Sequence, residues 1–478
     1  MKNILIAIRS IFKKGRHNVM KIVSLGIGLA VGLVLIAKVY FEQSYDDFYP
    51  DRDRVYQVWA KYQQNGGELK DYPQTSGGIA PTMQQQIPEI ETVTRYTSFG
   101  DWTFTMTDTK MKYSGRCIIA DSCFFDILPR PMLIGNAKEV LSTPMYVLIS
   151  SRIAKNIGGD VIGKNFTVDN SPGRTMTIGG VFEEVPENSH SRYDVIVSMA
   201  SAGRFMWEGS PTNMLGNDRY ISYVKLHKGV NPLALEEQVR TFVNSYFPPE
   251  EQQKVGLSID FSFHKLDNLH KELPQVKRMT WILSLLAFAL IFTAVMNYIL
   301  IVISSIVNRS KEVAVHKCYG ASENNIHGMM FGEALVHIVL SLILALLLIL
   351  AFRGTVEELL ATSLDSLLLS NGSLVLLGIC ILVFFVSGFM PGSLYARIPV
   401  ASAFRNYREN KRIWKKALLL VQFVATGFLV TMLVFVARQY TFMVNDRPGY
   451  AYENLAYCGL AGVDSTSRAK ILDEVMRL

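Results

Sequence analysis

Residues 279–352 read MTWILSLLAFALIFTAVMNYILIVISSIV, then NRSKEVAVHKCYGASENNIHGMMFGE, then ALVHIVLSLILALLLILAF. Neither outer run contains Asp, Glu, Lys or Arg, and each has the length, about 20 residues or more, that carries a helix across a bilayer. The middle piece is polar and belongs in water. This pattern of apolar run, polar link and apolar run sets the fold class: a helical membrane bundle.

Working outward, three further runs fit. Ile22–Tyr40 is interrupted only by Lys38, near one end, where a long side chain can snorkel. Leu374–Tyr395 carries a Pro391-Gly392 break, and Ala417–Ala437 carries no charge. A charge at a span's centre costs about 2.5–3.5 kcal/mol, so five clean runs are a signal. The chain has 478 residues, 49% of them hydrophobic, with that hydrophobicity gathered into these runs. Its net charge of +7 sits beside the runs and forms no separate patch, which argues against a nucleic-acid partner.

The flanking cations set the orientation. Lys2, Arg9, Lys13, Lys14, Arg16 and Lys21 precede the first run, with no acid before Glu42. Arg397, Arg405, Arg408, Lys411, Arg412, Lys415 and Lys416 separate the fourth and fifth runs, against Glu409 alone. With both stretches inside, the N-terminus (1–21) is cytoplasmic and the spans are 22–40, 279–307, 334–352, 374–395 and 417–437. Residues 41–278 and the loop 353–373 then face outward, and 308–333 and 396–416 face the cytoplasm. The first run is read as an uncleaved anchor, because its exit, AKVYFEQSYDDF, has no small-x-small cleavage site.

The external block reads as mixed α+β. RVYQVWAKY, ETVTRYTSF and RTMTIGGVF have strand character, while STPMYVLISSRIAKNI and NPLALEEQVRTFVNSYF have helical spacing. Breaks fall at Asn65-Gly66-Gly67, Gly77-Gly78 and Gly158-Gly159. Cys117, Cys123 and Cys458 lie outside, Cys318 inside and Cys380 in the fourth span. Cys117 and Cys123 either pair or remain two buried thiols. KKGRHNVMK before the first run and KRIWKK before the fifth form a weak repeat, so 438–478 reads as the start of a second, incomplete external domain.

In the polar link, Arg309, Glu312 and His316 share one helical stripe, and Ala314, Val315, Cys318 and Tyr319 another. Gly320 is placed to end this helix in a left-handed conformation, and Ser322 to cap the next. NRSKEVAVHKCYGAS resembles the pattern Asn-Arg-x-x-Glu-apolar-x-apolar-Arg-Lys-x-x-Gly-Ala of the MacB/FtsX family of ABC-transporter permeases. Asn308, Arg309, Glu312, Lys317, Gly320 and Ala321 match, and His316 stands where the family usually has Arg. HNVMKIVSLGIGLAVGLVL, SYDDFYPDRDRVYQV, IIADSCFFDILPRPMLIGNAKEVLSTPMYVLIS, GGVFEEVPENSHSRYDVIVSM and GFMPGSLYARIPVASAFR are similar to the variety common in Bacteroidetes, where two such units are often fused in tandem.

The resemblance implies a MacB-like periplasmic core domain on an inner-membrane bundle. It also implies a coupling helix (Arg309, Glu312, His316, Lys317, Gly320, Ser322) that docks on a separate cytoplasmic ABC ATPase. The chain itself would be no enzyme and hold no cofactor, ATP being bound by the partner. A second permease unit and a periplasmic adaptor or outer-membrane duct are the further partners, with export or mechanotransmission as the task. The alternatives are a regulator of a cell-wall hydrolase, like the FtsX branch, and a membrane sensor that needs no ATPase.

Other motifs carry less. Gly158–Asn165 fits G-x-x-x-x-G-K but lacks the Ser or Thr that holds Mg²⁺, and reads as a turn. Gly26, Gly28 and Gly32 in the first span have the spacing for close helix packing. Asn297 and His337 are polar groups within spans, serving either interhelical hydrogen bonds or a transport path. His190, His227, His264 and His270 show no metal-ligand spacing.

Overall fold

The computed structural model describes residues 17–168, 171–216, 218–368, 372–396, 413–445 and 465–477. It divides into two compact units: Met1–Gln43 with Pro274–Glu453, and Ser44–Leu273 with Asn454–Leu478.

The first unit is the helical membrane bundle. Its helices are α1 (Asn18–Gln43), α2 (Pro274–Ser304), α3 (Ile306–Cys318), α4 (Glu323–Ala351), α5 (Arg353–Leu360), α6 (Leu364–Leu368), α7 (Ser373–Ala396) and α8 (Ile413–Asn445). Five of them, α1, α2, α4, α7 and α8, are long and apolar enough to span a bilayer. The helices outrun their apolar cores because polar first and last turns can extend into the interface. Helix α1 packs between α2 and α4, and α4 also packs on α7.

Three readings of this unit need correction. Pro391 does not break the fourth span: α7 runs through it to Ala396, as membrane helices allow when neighbours satisfy the freed backbone groups. The stretch read as an external loop, 353–373, is largely helical in its described part, with Ala361 closing α5 in the left-handed region at φ +48°. Lys38 does not snorkel. It is buried, 2.7 Å from Glu42, and its Nζ donates to Thr362 Oγ1 at 2.8 Å.

The second unit is the mixed α+β external domain. Its strands are β1 (Val55–Gln64), β2 (Lys70–Tyr72), β3 (Ile90–Met106), β4 (Lys112–Ala120), β5 (Met132–Ile134), β6 (Tyr146–Ser150), β7 (Asn165–Val168), β8 (Ser171–Phe182), β9 (Val195–Ser198), β10 (Ile221–Leu226) and β11 (Leu257–Lys265). They form one sheet in the order β11-β1-β10-β3-β4-β9-β6-β8-β5, with β2 beside β1 and β7 beside β3 and β8. Strand β3 is the hinge of the arrangement. Its first half pairs with β10 and its second half with β4, with a register shift between Ser98 and Gly100, and Gly100 there takes φ +73°. Such a bulge bends a strand and increases its twist.

On the first side of β3, helices Ile79–Gln86 and Glu236–Tyr246 bury Met83, Val239 and Phe242 against Val58, Ala60 and Val224. On the second side, Phe104, Ile149, Phe166 and Ile178 form a separate core. One of the two helical readings here needs correction. STPMYVLISSRIAKNI is strand β6 followed by a helix, Ser151–Ile157, which Ser150 caps by accepting from Ile153 N.

Candidate functional site

A short helix, α3, and a tight turn join α2 to α4. Ser305 closes α2, its hydroxyl donating to the Val302 carbonyl at 2.6 Å, and α3 follows at once. Helix α3 packs against α2 and α7, and its buried face is Ser310, Val313 and Ala314. This differs from the expected stripe of Ala314, Val315, Cys318 and Tyr319. Val315, Cys318 and Tyr319 are exposed, Tyr319 to 89%. Lys311 and His316 are exposed with them, and Glu312 and Lys317 are half-buried. The outward face therefore presents Lys311, Val315 and Tyr319 in line, flanked by His316.

The helix ends in a tight capping turn. Ala321 N donates to His316 O and Gly320 N to Lys317 O, each at 3.0 Å. This pairing places Gly320 in the left-handed region, at φ +86°. Ser322, in extended conformation, accepts from Asn325 N at 3.4 Å and starts α4. Helices α3 and α4 are thus joined by a capped turn of four residues.

Helix α4 meets its neighbours in the bundle through one polar stripe: Glu333, His337 and Ser341, four residues apart. Glu333 Oε1 lies 4.0 Å from Lys21 Nζ on α1, which is wholly buried and donates to Asn18 Oδ1 at 3.1 Å. His337 Nδ1 is 3.2 Å from the Tyr298 hydroxyl on α2. Ser341 Oγ donates to Ile22 O on α1 at 3.0 Å. Sequence reading placed Lys21 and Glu333 in cytoplasmic flanks, because the pairing joins residues more than 300 positions apart. Asn297 is half-buried in α2.

The glycines set how closely the helices approach. A Cβ on Gly28 would run into Ala294 and one on Gly32 into Ile291, both on α2. One on Gly26 would come within 2.9 Å of Leu344 on α4. Gly388 and Gly392 on α7 do the same toward Phe331 and His327 of α4, a pair that their spacing of four could have revealed.

In the external domain, Asp46 is wholly buried at a left-handed φ of +61°. Its carboxylate takes His190 Nδ1 at 2.7 Å, and His190 Nε2 meets the Tyr223 hydroxyl. Ser191 Oγ donates to Tyr96 OH at 2.6 Å beside them. His264 stacks on Trp59 and His270 on Tyr45, while His227 is exposed; burial lowers the His264 imidazole. Cys117 and Cys123 are free thiols, both pushed up by burial. Gly158–Asn165 is a turn leading into β7, with Gly158, Gly159 and Gly163 at positive φ. The side chain of Arg309, residues 1–16 and 397–412 with their cations, and 446–464 with Cys458 lie outside the described residues.

The model of the MacB-like periplasmic core domain matches residues 20–242, and that of the FtsX-like permease C-terminal region matches 284–400. Among solved structures, a domain of a permease protein from Porphyromonas gingivalis is 33% identical, covering 45% of this chain and 91% of that one, at a TM-score of 0.42. The periplasmic region of MacB from Actinobacillus actinomycetemcomitans is 15% identical (46% and 91% covered, TM-score 0.32). The extracellular domain of the noncanonic ABC-type transporter YknZ from Gram-positive bacteria is 11% identical (43% and 98%, TM-score 0.31). No curated protein matches the chain.

Proposed function

The chain belongs to the MacB/FtsX family of ABC-transporter permeases, and from that premise we propose that it couples ATP hydrolysis on a separate cytoplasmic ATPase to movement of its external domain. The observation that carries this reading is the outward face of α3. A helix that buries Val313 and Ala314 while exposing Val315 and Tyr319 has a second apolar edge to offer a partner. Aromatic side chains of this kind anchor protein interfaces. The capped turn and the Glu333–His337–Ser341 stripe of α4 link that edge to α1 and α2, the two helices that lead into and out of the external domain.

Ionisable groups inside the bundle support mechanical work over passage of a polar solute. Lys21 on α1 faces Glu333 on α4, and Lys38 pairs with Glu42 one turn on within α1, so each of these charges meets an opposite one inside the bundle. Intramembrane charges otherwise mark an ion or substrate path. The cytoplasmic N-terminus and the inner-membrane location belong to the same proposal and rest on the flanking cations.

The test is co-purification of the tagged full chain from native membranes, with mass spectrometry of what accompanies it. Wild type should bring down an ABC ATPase. Tyr319→Ala should reduce its recovery by about tenfold or more, the scale of one lost interface anchor, and Glu312→Lys should abolish it. Recovery unchanged in both variants, or no ATPase with wild type, would refute the reading.

A further inference from the structure

We propose that the external domain holds a binding site for an amphipathic anion, an apolar body ending in a carboxylate or phosphate. The site is a cavity of about 580 Å³ lined in part by Tyr45, Trp59, His190, Leu269, Arg116 and Arg192. That volume is within the usual range for small-molecule pockets, about 300–1,000 Å³.

The walls are preorganised. Tyr45 stacks on His270 with centroids 3.4 Å apart and planes 7° from parallel, and Trp59 stacks on His264 at 4.1 Å. His190 is fixed as well: Asp46 and Tyr223 take its two ring nitrogens, so the ring contributes a surface and no free nitrogen. Ring, indole and Leu269 together give the cavity an apolar lining.

The charge is one-sided. Arg116 and Arg192 line the cavity, and among the described lining residues there is no Asp or Glu. Arg192 Nη2 donates to the Glu187 carbonyl, one of the five N–H donors that an Arg carries. Among the described residues Arg116 faces Asp101 at 4.0 Å, with the two side chains 48% and 78% exposed, a weak pairing. Planar donor forks of this kind match carboxylate and phosphate oxygens. The anion would therefore meet Arg116 and Arg192, and its apolar body Trp59, Tyr45 and Leu269.

Tyr45 lies at the start of the domain and Leu269 at its end, so a bound molecule would touch the chain on its way in and on its way out. Binding stands independently of the ATPase reading; only a role as cargo or signal rests on it.

The test uses the full chain in nanodiscs of phosphatidylcholine, titrated calorimetrically with dodecanoate, dodecyl phosphate and dodecyltrimethylammonium. Both anions should bind saturably and the cation should not; the stronger anion identifies a fatty-acid or a phospholipid type of head. Arg116→Glu with Arg192→Glu should weaken anion binding by about tenfold or more, and Trp59→Ala should weaken it without altering the preference for anions. If the charge-reversed chain shows a shifted melting temperature, Arg116→Gln with Arg192→Gln is read in its place. Absence of saturable binding, equal binding of the cation, or binding unaffected by the arginine variants would overturn the proposal.

Discussion

Tyr96 shows what burial does to a single group. It is almost inaccessible, lies parallel to Tyr223 and hydrogen-bonds Ser191. Burial outweighs that hydrogen bond and pushes its hydroxyl up to about 12. Tyr49, Tyr193 and Tyr223 are raised by burial too. Above pH 10 the unfolded chain releases phenolic protons that the folded domain keeps. The stabilisation is therefore complete below pH 10 and is lost as pH rises toward 12. For Tyr96 alone this is on the order of 2–3 kcal/mol. Chemical unfolding of the external domain, followed on the full chain by near-ultraviolet circular dichroism, should show stability falling steeply from pH 10. Tyr96→Phe should remove about one proton from that slope, roughly 1.4 kcal/mol per pH unit; identical slopes would refute the account. Little of this was legible in the sequence. A tyrosine in a strand reads the same whether its hydroxyl meets solvent or a buried serine, and Lys38 reads as a snorkelling end residue until Glu42 and Thr362 are seen around it.

At the scale of elements, close approach of α1 to α2 depends on Gly28 and Gly32. Gly28→Leu should force Ala294 away and lower the thermal stability of the solubilised chain by about 1–3 kcal/mol, the usual cost of overpacking. Gly378→Leu, at a glycine on α7 with open space around it, should change it by much less. Equal effects would show that helix propensity, not packing, controls both sites. The membrane helices were legible because apolar runs have only one stable home. The turn at Gly320 and the cap at Ser322 were legible because their chemistry is local. The buried face of α3 was not, since Val313 and Val315 are equivalent by type and only the position of α2 and α7 distinguishes them. STPMYVLISSRIAKNI misled for a related reason: Val147, Leu148, Ile149 and Ile153 mimic helical spacing across a strand-to-helix junction.

For the whole molecule, the proposed orientation makes a prediction of its own. In spheroplasts of a strain carrying Glu68→Cys in a Cys123→Ser, Cys458→Ser background, a membrane-impermeant maleimide should label residue 68 at once. Native Cys318, which is exposed on α3, should react only after permeabilisation. The reverse pattern would invert the topology and place α3 away from any cytoplasmic ATPase. The division into a helical bundle and an α+β domain follows from hydropathy alone. The single continuous sheet does not, because strands such as β4 and β9, paired in parallel, are far apart in sequence and no local signal joins them.

The stack of Tyr45 on His270 has a meaning for the chain as a polymer. It brings together the first and last residues of a long inserted segment, so from the standpoint of α1 and α2 that segment is no more demanding to close than a short loop. Loop-closure entropy grows only slowly with length, and an insert whose ends already meet adds little further constraint. The domain is thereby a replaceable module: its interior can be exchanged or diversified while the helices that flank it keep their spacing.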